Sequence, residues 1–157
     1  MRPGRSKARF PKPSDVPWEP LDFATCLNQA RCVEEQILSK CRAAGFGEHD
    51  LFAIKLAVEE ALVNACKHGN KLNADKQVKV RFRVTPQRAE IVIEDQGAGF
   101  KPSDVPDPTA CENLTVPHGR GILLMRAYMS NVVFSPSGNK VTLIKYNEGR
   151  PGAAALG

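Results

Sequence analysis

No run of eighteen apolar residues occurs in the 157-residue chain, so the sequence offers no membrane-spanning helix. The basic N-terminus is not followed by an apolar segment, which argues against a secretory signal. The five cysteines, Cys26, Cys32, Cys41, Cys66 and Cys111, include no C-x-x-C pair, so a zinc site is not expected. They read as small buried hydrophobes in a reducing cytoplasm, with Cys26, Cys32 and Cys41 inside one helix. A basic patch on the folded body is also missing. The net charge is +5, but Arg2, Arg5, Lys7, Arg9 and Lys12 precede the first acidic residue. Without those five, 17 of the 22 basic residues remain against 17 acidic ones, so the body is neutral. That excludes the electrostatic footprint of a nucleic-acid-binding domain.

What is present divides the chain into a basic, Pro-rich leader over 1–17, one domain over 18–147 and a tail over 148–157. The leader is either a solvated tail or an electrostatic docking arm. A hydrophobic content of 42% suits one core. Trp18 to Phe23 reads as a short edge strand, because Pro20 is tolerated only at an edge. Leu27, Ala30, Val33, Ile37, Cys41 and Ala44 recur at helical spacing, which predicts a helix over 24–44 stopped by Gly45. Asp50 is placed to cap a second helix that runs to about His68, with Gly69 as its stop. Its buried stripe is Leu51, Ile54, Val58, Leu62 and Ala65. The period then changes to two: Val78, Val80, Phe82 and Val84 alternate with Lys79, Arg81 and Arg83. Ala89 to Glu94 continues as a more apolar, central strand. Residues 101–118 carry four prolines and no periodicity, as a functional loop would. A third helix over 119–130 and strands over 131–135 and 140–146 complete the order. Strands that arrive in hairpins predict an α+β two-layer sandwich, a mainly antiparallel sheet with helices on one face.

Three short segments carry chemistry. Glu60 and Asn64 stand one turn apart, so a carboxylate and an amide converge on one helix face. An amide oxygen is a hard ligand suited to Mg²⁺, and a neighbouring carboxylate can deprotonate a nucleophile. Asp95-Gln96-Gly97-Ala98-Gly99-Phe100 places a carboxylate at the end of a buried strand, before glycines that admit a flat ligand. Such a carboxylate can accept a hydrogen bond from an exocyclic amino group. His118-Gly119-Arg120-Gly121 opens a helix, where unpaired N–H groups attract anions. It is neither a Walker A loop nor a dinucleotide fingerprint, since the required lysine and third glycine are missing. In this order the three segments describe an ATP·Mg²⁺ pocket: Asp95 for the purine, Asn64 for the metal, Gly119 to Gly121 for the phosphates.

On these residues the chain resembles the histidine-kinase-type ATPase superfamily. E-A-L-V-N-A-C-K-H-G-N is similar to its N box, D-Q-G-A-G-F to its first glycine box and G-R-G-I-L-L-M to its second. Within the superfamily it looks most like bacterial anti-sigma factor serine kinases. The resemblance implies a cytoplasmic enzyme that uses ATP and Mg²⁺, phosphorylates a serine of a STAS-type anti-anti-sigma protein and sequesters a sigma factor. It implies Glu60 as general base, Asn64 as metal ligand, Asp95 with Gly97 and Gly99 at adenine, and Gly119, Arg120 and Gly121 at the phosphates. It implies Arg31 as a partner contact, and a homodimer through one side of the sheet, with the edge near Trp18 available. Neither nucleic acid nor a membrane is implied. The chain departs from the family at Gly138-Asn139, where a Gly-Thr pair often supports the adenine aspartate; Asn139 can still hydrogen-bond there. His68 reads as a helix-end residue that shapes the turn. Two other readings remain: a nucleotide-binding module without phosphotransfer, and a detached ATPase domain of a sensor histidine kinase.

Overall fold

Alternation in Gln77–Val84 puts Val78, Val80 and Phe82 on one face and Lys79, Arg81 and Arg83 on the other, and the rest of the molecule is built on that division. The computed structural model describes residues 11–99 and 117–149, with the side chains of 117–120 excepted. After a 3₁₀ turn at Pro13–Asp15 come β1 (Glu19–Pro20), β2 (Phe23–Ala24), α1 (Leu27–Ala43) and α2 (Glu48–Val63). A π-helical turn, Asn64–Gly69, extends α2. Then follow β3 (Gln77–Val84), β4 (Arg88–Glu94), α3 (Pro117–Tyr128), β5 (Asn131–Phe134) and β6 (Lys140–Tyr146). The sheet order is β1-β3-β4-β6-β5, β2 also pairs with β3, and every pairing is antiparallel.

Cross-strand register fixes the core face. Val80 stands opposite Ile93, which stands opposite Val141; Phe82, Ile91 and Leu143 form the next row. Against these rows pack Val33 and Ile37 of α1, Ile54, Val58 and Leu62 of α2, and Met125 and Met129 of α3. Full burial of an aliphatic side chain such as Ile54, Ile91 or Leu143 contributes about 1.5–3 kcal/mol. On the opposite face, Arg83 pairs with Glu90, its cross-strand neighbour, and lies 4.2 Å over the Trp18 ring. The expected α+β sandwich and the central position of β4 are therefore what is found.

Several boundaries differ from expectation. In place of one edge strand over 18–23 there are two short ones, Glu19–Pro20 and Phe23–Ala24, and between them the Asp22 carboxylate accepts the Val80 N–H at 3.1 Å and pairs with Arg81. Helix α1 starts at Leu27, with Cys26 as N-cap, so Cys26 lies outside it. Its end is as expected: Gly45, at φ +94°, lets Phe46 N–H return to Cys41 O at 3.1 Å. Asp50 does not cap α2; Gly47 occupies that position. The Asp50 side chain is instead buried, accepting the Glu148 N–H at 3.0 Å with Lys145 Nζ 3.8 Å away. Cys41 and Cys66 are buried, but Cys26 and Cys32 are exposed: Cys26 lies outside α1 as its N-cap, and Cys32 falls off its apolar stripe. Cys111 lies outside the described residues. Burial pushes the Cys41 thiol up to about 12. No helix among the described residues is long and apolar enough to cross a membrane.

Candidate functional site

Helix α2 brings its polar side to the core face at the point where its hydrogen bonding widens. Asn70 N–H reaches back five residues to Ala65 O at 2.8 Å, and Leu72 N–H reaches Cys66 O at 2.8 Å. Such widened turns often occur at functional sites. Here the turn carries Asn64 at its start and Gly69 at its end. The exit is tight: Lys71 and Leu72 are both left-handed, at φ 51° and 56°. Non-glycine residues rarely adopt this conformation, and their surroundings must hold them in it.

Asn70 does much of that holding. It is fully buried, and its amide spends both hydrogens and its oxygen. Nδ2 donates to Thr25 Oγ1 and to Gln77 O, each at 3.0 Å, while Oδ1 accepts the Gln96 N–H at 2.8 Å. One side chain thus joins the entry to α1, the start of β3 and the loop after β4. Asn70 was not singled out from the sequence. Its signal was there, an asparagine directly after the helix-ending glycine, but nothing local indicated full burial.

Asp95 follows β4 and is half-buried. Its main chain is held on both sides by Asn139: Asp95 N–H donates to Asn139 O at 2.9 Å, and Asn139 Nδ2 donates to Asp95 O at 3.3 Å. Asn139 therefore bonds the peptide rather than the carboxylate, and its Oδ1 accepts from Ser137 Oγ at 2.7 Å. The Asp95 carboxylate accepts the Gly97 N–H at 2.8 Å. Burial pushes the Asp95 carboxyl above its ordinary value, and the Gly97 N–H partly offsets this.

Glycines set the distances. A Cβ on Gly69 would lie 2.2 Å from the Asp95 carboxyl carbon, so the carboxylate rests directly on the Gly69 backbone. A Cβ on Gly97 would lie 2.1 Å from Gly69 O. Gly99, at φ +73°, would put one 1.9 Å from Ser137 O. The buried Gly121 matters most: its Cβ would meet Glu60 Oε2 at 2.9 Å and Asn64 Nδ2 at 3.1 Å. The start of α3 is thus set directly onto the Glu60/Asn64 pair, although Gly121 follows Asn64 by 57 residues in the chain.

These segments enclose a cleft of about 220 Å³ lined by Asn64, Asp95, Gly99, Ile93, Met125 and Val141, among others. Apolar walls with one carboxylate acceptor fit a flat heterocycle that bears an amino group. Lys71 and Lys140 also line it, and they favour an anionic ligand. His68 lines it too and is exposed. Glu60 is half-buried beside the cleft rather than in its lining. The hard oxygen donors of Glu60 and Asn64 suit Mg²⁺ on a phosphate and not a thiolate-bound metal. Helix α3 begins at Pro117, two residues before the expected start, so Gly119 and Arg120 lie in its first turn, where N–H groups are unpaired within the helix. The Arg120 side chain lies outside what is described. Arg31 does not line this cleft: it is exposed on α1 and lines a separate groove with Glu34, Glu59 and Lys67. Glu59 lines that groove and not the cleft.

Residues 23–145 match the family model described as the histidine kinase-like ATPase domain. The serine-protein kinase RsbW of Bacillus licheniformis is 33% identical over 109 residues, 65% of this chain and 68% of that protein. The protein of the same name from Bacillus subtilis (strain 168) is 31% identical over 112 residues, 67% of this chain and 70% of its own. Among solved structures, the RsbU and RsbW domains of Rv1364c from Mycobacterium tuberculosis align with a TM-score of 0.57 at 16% identity. That alignment covers 83% of this chain and 32% of the other, and at such identity the likeness is one of fold. With Asn64 and Asp95 lining one cleft, Gly121 set against Glu60 and Asn64 beside it, and a family match over residues 23–145, the chain belongs to the histidine kinase-like ATPase domain family.

Proposed function

We propose that the chain is an ATP-dependent serine/threonine protein kinase of the anti-sigma type, which phosphorylates a serine of a STAS-type anti-anti-sigma protein and sequesters a sigma factor. The observation that carries this reading is the contact of Gly121 with Glu60 and Asn64, beside a cleft that also contains Asp95. A nucleotide in that cleft would have its adenine amino group at Asp95, with Gly97 and Gly99 shaping that wall. Its phosphates would lie at Gly119, Arg120 and Gly121. Mg²⁺ would be held by Asn64 and would neutralise phosphate charge. Glu60 would accept the proton of the incoming serine hydroxyl as its oxygen bonds to the γ-phosphorus and ADP leaves. The names of the Bacillus relatives support serine as the acceptor. Arg31 would contact the partner protein from its own groove on α1, the chain would act in the cytoplasm, and it would pair as a homodimer through the sheet.

The test is transfer from γ-labelled ATP to the STAS-type protein encoded nearby, with the modified serine mapped by mass spectrometry. Glu60→Gln keeps the shape of the side chain and removes the base. It is expected to bind Mg-ATP within about threefold of the wild type and to lose roughly 10²–10⁴-fold in transfer rate. Undiminished transfer by Glu60→Gln would remove the assignment of the base. Tight binding with no transfer to any serine by the wild type would leave a nucleotide-gated binding module instead.

A further inference from the structure

One turn of α2 serves two surfaces. Asn64 lines the cleft and Glu60 stands beside it, whereas Glu59, Leu62 and Val63 line the separate groove between α1 and α2, of about 220 Å³. Leu27 adds to the apolar wall of that groove, and Arg31, Glu59 and Lys67 line it as exposed charges. Glu34 is different. It shares the buried stripe of α1 with Ala30, Val33 and Ile37 and is only 7% exposed, yet it lines the groove. No group among the described residues makes a hydrogen bond or an ion pair with its carboxylate. Burial first, and then Glu59, push the carboxyl above its ordinary value; Lys55 and Arg31 act against this without closing an ion pair. A carboxylate withdrawn from water without a counter-charge is unfavourable, and glutamates are seldom buried unless paired. The groove is where a cation can reach this one.

We propose that Glu34 is a specificity-determining residue for the substrate protein: it accepts a lysine or arginine side chain of the STAS-type partner in the groove between α1 and α2. The stem of that side chain lies along Leu27, Leu62 and Val63 while its cationic head meets the carboxylate. Position selects this partner. A protein that offers its serine to Glu60 must cover the turn that carries Glu59 and Val63 as well. A specific protein contact spans about 800 Å² on each side, wider than one helical turn, so the groove falls inside its footprint. Arg31 and Lys67 repel a cation placed anywhere but at the two carboxylates, which narrows the choice of partner further. The identity of the partner rests on the kinase reading above; the groove and its unpaired carboxylate do not.

The experiment compares the full chain with its Glu34→Gln variant, using the STAS-type protein encoded nearby. Binding is measured by calorimetry with Mg-ADP present, so that no transfer occurs; transfer from γ-labelled ATP and thermal unfolding are measured separately. Glutamine keeps the shape of the side chain and removes its charge. The variant is expected to bind the partner at least about tenfold more weakly, with KM for the partner raised to match. Its ATP affinity should stay within about twofold and its unfolding midpoint should not fall. A carboxylate that served the fold alone would do the reverse, lowering the midpoint and leaving KM in place. Lysines and arginines of the partner are then changed singly to glutamine. One of these changes should match the loss, and combining it with Glu34→Gln should weaken binding no more than about a further twofold, since the two side chains make one contact. Undiminished binding by Glu34→Gln overturns the proposal, as does a set in which every cationic change adds to it independently, or a wild-type chain that does not bind the partner. Binding without transfer would count against the kinase reading alone, because the affinity comparison still decides the Glu34 contact.

Discussion

A methyl group at position 69 has nowhere to go. Its carbon would sit 2.2 Å from the Asp95 carboxyl carbon and 2.3 Å from Oδ2, well inside van der Waals contact. Gly69→Ala must therefore push Asp95 away from the cleft or unwind the end of the π turn. Either change removes the acceptor from its place, and nucleotide affinity is expected to fall at least about tenfold, the equivalent of one lost charge-assisted hydrogen bond. Calorimetric titration with ATP checks this; wild-type affinity in Gly69→Ala would show that Asp95 does not touch the ligand. The same carboxylate gives a pH dependence. Burial raises its pKa above the ordinary 3.8. An acceptor for an amino group must be ionised to act at full strength, so affinity is lost as pH falls through that raised value. The loss begins at a higher pH than an unperturbed aspartate would give, and Asp95→Asn should abolish this step. The sign for the stability of the nucleotide-free fold is opposite: the contribution of Asp95 is fully present below the ordinary aspartate value and is lost as pH rises through the raised one. Measuring affinity and stability on one pH series separates the two.

At the scale of elements, the π turn is where the sequence was hardest to read. The stripe Leu51, Ile54, Val58, Leu62 and Ala65 was legible because helical period survives in composition, and all five residues are buried. The strands were legible because period two needs no knowledge of partners. Glu60, Asn64, Asp95 and Gly121 could be named because their chemistry is local to short segments. Full burial of Asn70, by contrast, depends on Thr25, Gln77 and Gln96, which lie 45, 7 and 26 residues away. Asp50 was misread for a similar reason. An aspartate near a helix start usually caps it, but here its partners, Lys145 and Glu148, come from the far end of the chain. The exposure of Cys26 and Cys32 was not legible from average cysteine burial: Cys32 sits off the α1 stripe, and Cys26 caps the helix from outside. Asn70→Ala tests the π turn. It leaves Gln77 O and the Gln96 N–H without their partner, at about 1–3 kcal/mol for each group that stays buried. A loss of about 2–4 kcal/mol in urea unfolding is expected. A loss under about 0.5 kcal/mol would mean that water replaces the amide at no cost and that the turn holds itself.

The molecule as a whole is fastened at two ends of α2. One end is the Asn70 junction beside the cleft. The other gathers around Lys145, whose buried Nζ donates to Tyr128 O at the close of α3 at 3.1 Å and to Glu148 Oε1 at 2.9 Å, with Asp50 Oδ1 3.8 Å away. Asn147 adds bonds to Gly45 O at 3.2 Å and Pro86 O at 2.9 Å, so the end of β6 secures the α1–α2 turn and the β3–β4 turn together. Asp50 and Glu60 are ten residues apart on one helix, about 15 Å along its axis. Lys145→Met keeps the stem of the side chain but leaves Asp50 buried without its cation, a change that costs about 3–5 kcal/mol where the pair is fully buried. The exposed Glu148 lowers that figure, and a loss of about 2–4 kcal/mol is expected. Helix α3 reaches both ends, which raises the question of whether loosening its close moves its start. Ile122, Met125 and Met129 are buried along its length, and Gly121 is set against Glu60 and Asn64. The start is thus held by packing that Lys145 does not touch. Lys145→Met should therefore leave the ATP affinity of the folded protein within about threefold, and its stability loss should add to that of Asn70→Ala within about 0.5 kcal/mol, as for independent distant sites. Unfolding curves of the two single variants and the double variant, with ATP titrations of each, decide the matter. A coupling well above 0.5 kcal/mol, or an affinity that falls with Lys145→Met, would mean that α3 transmits strain from the Lys145 end into the cleft.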